Sequence, residues 1–131
     1  MPKKTSKVPK TRNGGTMTEA QYYAKLRSTL RRAFRWWIPL QTALVKARRK
    51  SQSSNKRLKF EYQCASCKDW YPRKDVEVDH IIPCGSLRCN EDIVPFLQRL
   101  TVEDPSAYQV LCKSCHKVKT QQELSLRKTA A

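Results

Sequence analysis

Cys64-Ala-Ser-Cys67 and Cys112-Lys-Ser-Cys115 are two thiol pairs with the two-residue spacing that lets both sulfurs of a pair reach one ion. Together they complete a tetrahedral sulfur shell of the kind Zn²⁺ prefers. One such pair alone could be a redox dithiol, but two in one short basic chain point to metal. Four protein ligands leave no open position for a substrate, so the expected ion is structural. Cys84 and Cys89 are more loosely spaced, beside Gly85, and read as free thiols. The other use for six cysteines is a secreted disulfide framework. That use needs a secretion signal, and MPKKTSKVPKTRNGG lacks the apolar segment of one.

The chain has two histidines, and each stands beside a metal-ligand signal. His80 follows Asp79 in the run VEVDH, and His116 follows the second cysteine pair directly. A zinc ion joining the two pairs would draw the segment bearing Asp79 and His80 toward the one bearing His116. Asp79 and His116 then offer an oxygen and a nitrogen to one divalent ion, with positions left for water and phosphate oxygens. His80 stays free to take a proton from water, since an imidazole titrates near neutrality. Taken singly, Asp79 and His80 also fit a strand-end turn, and His116 a helix-start residue near zinc.

The stretches CASC, VEVDHIIPCG and YQVLCKSCHKVKT, spanning roughly residues 56–123, resemble the HNH endonuclease family. The layout, with a basic helical segment ahead of this core, is similar to small bacteriophage HNH proteins, which would place the protein in a host cytoplasm. The resemblance implies a ββα-metal, treble-clef-like core. It implies Asp79 and His116 as ligands of a catalytic Mg²⁺ or Mn²⁺ and His80 as general base. It also implies Cys64, Cys67, Cys112 and Cys115 as zinc ligands, and DNA hydrolysis leaving a 5′ phosphate and a 3′ hydroxyl. Family members often carry Asn five residues before the first cysteine of the second pair, as in ENLQVLC. This chain reads SAYQVLC, with Ala107 at that position, and Asn90 is a candidate substitute.

The elements that must position these residues make an α+β protein. Residues 1–16 are basic, with almost nothing apolar, and read as a disordered arm. Thr18-x-x-Gln21 resembles a capping box, and Tyr22, Leu26, Leu30, Phe34 and Trp37 recur at helical spacing, predicting a helix over about 19–37. After Pro39, Leu40, Ala43, Leu44 and Ala47 predict a shorter helix ending in Arg48, Arg49 and Lys50, so that 17–50 forms a basic helical hairpin. Its Arg27, Arg31 and Arg35 are candidate DNA contacts, or else one solvated face of amphipathic helices. Residues 51–55, SQSSN, read as a linker to a nuclease domain over 56–126, followed by a tail at 127–131.

Within that domain, Lys59–Gln63 and Val76–Asp79 have the alternation of strands, and the Cys64–Pro72 turn would join them as a hairpin. Asn90 suits the N-cap of a helix over about 91–100, with Pro95 in an early turn. A last helix is expected from Cys115 to Leu126, where Lys113, Lys117 and Lys119 would flank a phosphate.

The 131 residues carry 27 Lys plus Arg against 11 Asp plus Glu, a formal charge of +16 that calls for a polyanionic partner. Double-stranded DNA is the first candidate. An anionic membrane is the second, with Trp36, Trp37 and nearby arginines suited to a lipid interface. No apolar run reaches membrane-spanning length, so a soluble, intracellular protein without a membrane partner is expected. Three function classes follow: a metal-dependent nuclease, a non-catalytic zinc module that binds nucleic acid, and, last, a membrane-surface adaptor.

Overall fold

The computed structural model describes residues 7–129 as an α+β protein of small antiparallel sheets and four helices. The described residues fall into two compact units, one of 7–35 with Cys84–Thr101, the other of Trp36–Pro83 with 102–129. No helix among them is long and apolar enough to cross a membrane.

In the first unit, β1 (Lys10–Arg12) pairs antiparallel with β2 (Met17–Thr18). Asn13, Gly14 and Gly15 turn the chain at φ 52°, 66° and 79°, where glycine costs least. Part of the segment expected as a disordered arm is therefore ordered. Arg12 ion-pairs with Glu19 at 2.8 Å and lies 4.2 Å over the Tyr22 ring, contacts that composition does not reveal. Residues 1–6 lie outside the described residues.

Helix α1 (Glu19–Ala33) starts with the capping box read from the sequence, since Gln21 N–H donates to Thr18 Oγ1 at 3.1 Å and Thr18 N–H to Gln21 Oε1 at 2.9 Å. It ends at Phe34, short of the expected 37, because Trp37 caps the next helix. Asn90–Asp92 forms one 3₁₀ turn, and α3 (Ile93–Leu100) follows with Asp92, not Asn90, at its cap. Tyr23, Cys84, Leu87, Phe96 and Leu100 form the core of this unit.

The second unit begins with α2 (Ile38–Lys46), with Pro39 in its first turn, where a missing N–H costs nothing. Arg48–Lys50, expected as the end of this helix, is instead strand β3. It pairs antiparallel with β4 (Phe60–Gln63), and β4 with β5 (Trp70–Tyr71). The SQSSN segment is thus part of the connection between β3 and β4, with Ser51 N–H donating to Lys59 C=O at 3.0 Å.

Lys59–Gln63 and Val76–Asp79 do not pair with each other. The chain returns along β4 as β5, then Pro72 and a 3₁₀ turn at Arg73–Asp75 carry it away into β6 (Val76–His80). The partner of β6 is β7 (Tyr108–Cys112), in a five-residue antiparallel register from Val76↔Cys112 to His80↔Tyr108. Helix α4 (Lys113–Thr129) follows β7 without a break, starting earlier and running further than expected, into the segment read as a tail. Leu44, Tyr62, Val76 and Val110 form the core that α2 and the two sheets share.

Phe96 is fully buried in the first unit's core. Truncation to Ala is expected to cost about 3 kcal/mol or more, since the cavity cannot fully collapse. Chemical denaturation of Phe96→Ala, followed by circular dichroism, measures it.

Candidate functional site

Cys64 ends β4 and opens a tight turn in which Lys68 N–H donates to Cys64 C=O at 3.0 Å and Cys64 N–H to Asp69 C=O at 2.9 Å. Lys68 closes this turn at φ 67°, a left-handed conformation that a side chain rarely adopts. Ala65 N–H donates to Val110 C=O at 2.8 Å and so ties the turn to β7. Cys112 is the last residue of β7, and Cys115 sits in the first turn of α4, where exposed N–H groups favour thiolates. The four sulfurs lie within 4.8 Å of one another.

That spacing fits one tetrahedral ion with Zn–S bonds of about 2.3 Å. The surroundings also favour bound thiolates. Backbone N–H groups of Cys67 and Cys115 point at Cys64 Sγ and Cys112 Sγ, each at 3.5 Å, and the Tyr71 hydroxyl lies 3.3 Å from Cys67 Sγ. Burial alone would raise the Cys64 thiol pKa, but hydrogen bonds from Cys112, Cys67 and Ser66 bring it down to about 6. Burial likewise opposes ionisation of Cys112, but hydrogen bonds from the Cys115 backbone, the Cys115 thiol and the Tyr71 hydroxyl together outweigh it and lower its pKa. Cys115 beside the Cys112 sulfur is pushed up to about 12, since neighbouring thiols cannot all ionise without a cation among them. Cys84 is buried in the other unit's core and Cys89 is exposed, and neither belongs to this cluster.

Beside the sulfur cluster, alternation along β6 puts Glu77 and Asp79 on one face of the strand. His116, one residue past Cys115, reaches both. Its Nδ1 is 2.9 Å from Glu77 Oε2 and its Nε2 is 3.7 Å from Asp79 Oδ1. Lys119, one helical turn on, donates to Asp79 Oδ2 at 2.6 Å and to the His80 carbonyl at 2.8 Å, and pairs with Glu123 at 2.7 Å. Burial would lower its pKa, but the Asp79 and Glu123 carboxylates prevail and raise it. Gln109, paired with Asp79 in the ladder, donates to the same Oδ2 at 3.2 Å. An open groove of about 500 Å³ runs alongside, lined by Ser66, Gln109, Cys115, Val118, Lys119 and Gln122 among others.

The structure thus brings Asp79 and His116 together. The His80 ring lies against its ladder partner Tyr108, centroids 4.9 Å apart, while its carbonyl meets Lys119. Lys119, expected at a phosphate, is turned inward to hold β6 against α4. Lys113 and Lys117 are exposed on α4. In the other unit Arg35 is exposed, Arg27 half-buried, and the Arg31 guanidinium sits 5.5 Å from the Phe96 ring. Asn90 Oδ1 accepts from the Tyr23 hydroxyl at 2.7 Å, so its amide oxygen is already engaged within that unit. At the position of the missing asparagine, Ala107 C=O accepts from Ile81 N–H at 2.9 Å, so the backbone itself holds the residue after His80.

Glu77 does not stand out in the sequence, although it lies two residues before Asp79, where a strand returns to the same face. Tyr71 escapes notice there because its role comes from β5 pairing with β4. Comparison of the chain with family models, with characterised proteins and with solved structures finds no match.

Purified protein is expected to hold one zinc through its four sulfurs, and Cys64→Ser or Cys112→Ser to lose both zinc and native circular dichroism. Protons compete with the ion for thiolates, so affinity falls as pH falls. Before binding the Cys64 thiol is held down and the Cys115 thiol up, and a four-sulfur site that favours the ion over these protons is expected to release zinc with a midpoint below about 7. Zinc release followed with a chromogenic chelator across pH checks this; a midpoint above 7 contradicts the assignment.

Proposed function

We propose that this chain is a metal-dependent endonuclease of the HNH type that hydrolyses phosphodiester bonds of double-stranded DNA. The observation that carries the reading is the Asp79–His116 pair. Its 3.7 Å separation is too long for a hydrogen bond, and closing it by about 0.5 Å would give the roughly 3.0–3.4 Å between neighbouring ligands each about 2.1 Å from one ion. Glu77 on the far nitrogen supports it, because a carboxylate on one imidazole nitrogen fixes the tautomer that offers the other to a metal. The order of β6, β7 and α4, with two sulfurs at the β7–α4 junction meeting two from the turn after β4, agrees with a ββα-metal core carrying a structural zinc.

In this reading Asp79 and His116 hold the ion, and Glu77 orients His116. A bound Mg²⁺ or Mn²⁺ supplies positive charge for the phosphate and the departing 3′ oxygen. His80, half-exposed directly after Asp79, takes the proton of the attacking water. Lys119 holds the His80 carbonyl and Asp79 Oδ2, so the strand end is fixed to α4 before substrate arrives.

A second reading, DNA or RNA binding without cutting, draws on the same lysine. Its ammonium at 2.6 Å already neutralises Asp79, and Ala107 supplies no side-chain amide. The third reading, a membrane-surface adaptor, draws on exposed Trp36 and Ile38, with Trp37 half-buried between them.

Zinc-loaded protein is expected to nick supercoiled plasmid when Mg²⁺ or Mn²⁺ is added. His80→Ala should reduce the rate by about 10²-fold or more. Glu77→Gln should cost about 10- to 100-fold and weaken Mn²⁺ binding, measured by electron paramagnetic resonance, with zinc content unchanged. No cutting with any metal, alongside retained salt-sensitive binding, would establish the binding module instead.

A further inference from the structure

The segment from Arg48 to Phe60, RRKSQSSNKRLKF, carries six basic residues and no acidic one. Its ends are β3 and β4, paired antiparallel, and β3 is the outer strand of its sheet. The turn is pinned by its own side chains: Ser53 N–H donates to Ser51 Oγ at 3.1 Å, Asn55 N–H to Ser53 Oγ at 3.1 Å, and Arg57 N–H to Asn55 Oδ1 at 3.0 Å. Arg49 is half-buried and tied to Glu61 at 3.3 Å, so its charge is compensated. Arg48, Lys50, Lys56, Arg57 and Lys59 remain exposed, and none of them forms an ion pair among the described residues.

We infer that the β3–β4 hairpin is a docking surface for the sugar-phosphate backbone of double-stranded DNA, gripping it through these five side chains. A two-stranded ribbon fits the major groove, and a pinned turn loses little entropy when its cations meet phosphates. The aromatic rings here are already covered, since the Arg48 guanidinium lies 4.0 Å over Phe60 and Arg49 lies 3.9 Å over Trp70. Single-strand binders need open rings for bases to stack on, so the covered rings favour a duplex. None of the exposed large apolar side chains lies between residues 48 and 63, which leaves nothing to enter a lipid interface. The inference rests on the proposed nucleic-acid partner and not on catalysis.

The test is equilibrium binding of the zinc-loaded full chain to a short duplex of arbitrary sequence across a salt series. A single strand of the same length and anionic phosphatidylserine vesicles are the comparison probes. The variant neutralises all five positions (R48Q, K50Q, K56Q, R57Q, K59Q), and a comparison variant neutralises the rival candidate contacts on α1 and just after it (R27Q, R31Q, R35Q), which should flatten the slope less. Each phosphate that is no longer neutralised should flatten the log–log salt slope by about 0.9, so the five-fold variant should be shallower by up to about 4.5 and weaker by at least about 10-fold. The turn variant K56Q with R57Q, at two exposed sites, keeps the test open if the larger one fails to fold, with an expected change of about 1.8.

A folded variant whose slope stays within about 0.5 of wild type overturns the hairpin assignment while leaving the nucleic-acid reading in place. Wild type that ignores DNA altogether overturns both. Tighter binding to vesicles or to single strands, abolished by the same substitutions, overturns the duplex as the partner.

Discussion

Four sulfurs held within 4.8 Å of one another repel as thiolates and have little reason to gather as thiols, so their placement makes sense around a cation. Much of the second unit follows from that cluster. Cys64 and Cys67 lie in the turn after β4, and Cys112 and Cys115 straddle the point where β7 becomes α4. Because Cys112 pairs with Val76, fixing the sulfurs also fixes where β6 sits on β7. It fixes which turn of α4 faces the strand as well, since His116 is the next residue after Cys115. The position of Asp79 opposite His116 therefore follows from the sulfur cluster passed through one strand register. A one-residue slip of β6 would turn Glu77 and Asp79 to the opposite face.

What is legible in the sequence is what spacing alone encodes. Two-residue intervals between cysteines need no knowledge of strand pairing, nor does the capping box at Thr18 and Gln21. Pairing partners are less legible, for a physical reason. Phe60–Gln63 and Val76–His80 each look like a strand, but alternation says which face is buried and nothing about the neighbour. The short β5, two residues long, has too little pattern to be seen, and it captures the position that β6 is expected to fill. Arg48–Lys50 reads as helix because α2's apolar spacing runs into it. Tertiary pairing with β4 overrides that weak local preference.

The acidic–histidine cluster shows the same division. Asp79, His80 and His116 stand out in sequence because each adjoins a recognisable feature, whereas Glu77 and Gln109 matter only through the face or ladder rung they share with Asp79. Lys119 reads as a surface cation in the sequence because its inward contacts come from β6, some forty residues away in the chain. With Asp79 Oδ2 held by Lys119 and Gln109, only Oδ1 faces His116. An ion at that pair would thus meet a carboxylate whose orientation is already set, which reduces the reorganisation required on binding.

A formal charge of +16 says that a polyanion is attracted but not where it lands. Topology decides that by choosing which cations are neutralised. Arg12 is taken by Glu19, Arg49 by Glu61, and Lys119 by Asp79 and Glu123. All four of these acceptors lie on or beside elements whose geometry needs a fixed cation: the β1–α1 corner, the β3–β4 ladder, and the β6–α4 contact. The exposed cations of the β3–β4 turn have no such structural task, and the turn is nonetheless held rigid by Ser51, Ser53 and Asn55. Rigid display of uncompensated charge raises the electrostatic free energy of the folded chain, since like charges held near one another repel. A bound polyanion would remove that repulsion, so the same arrangement that costs the free protein would favour a complex with one.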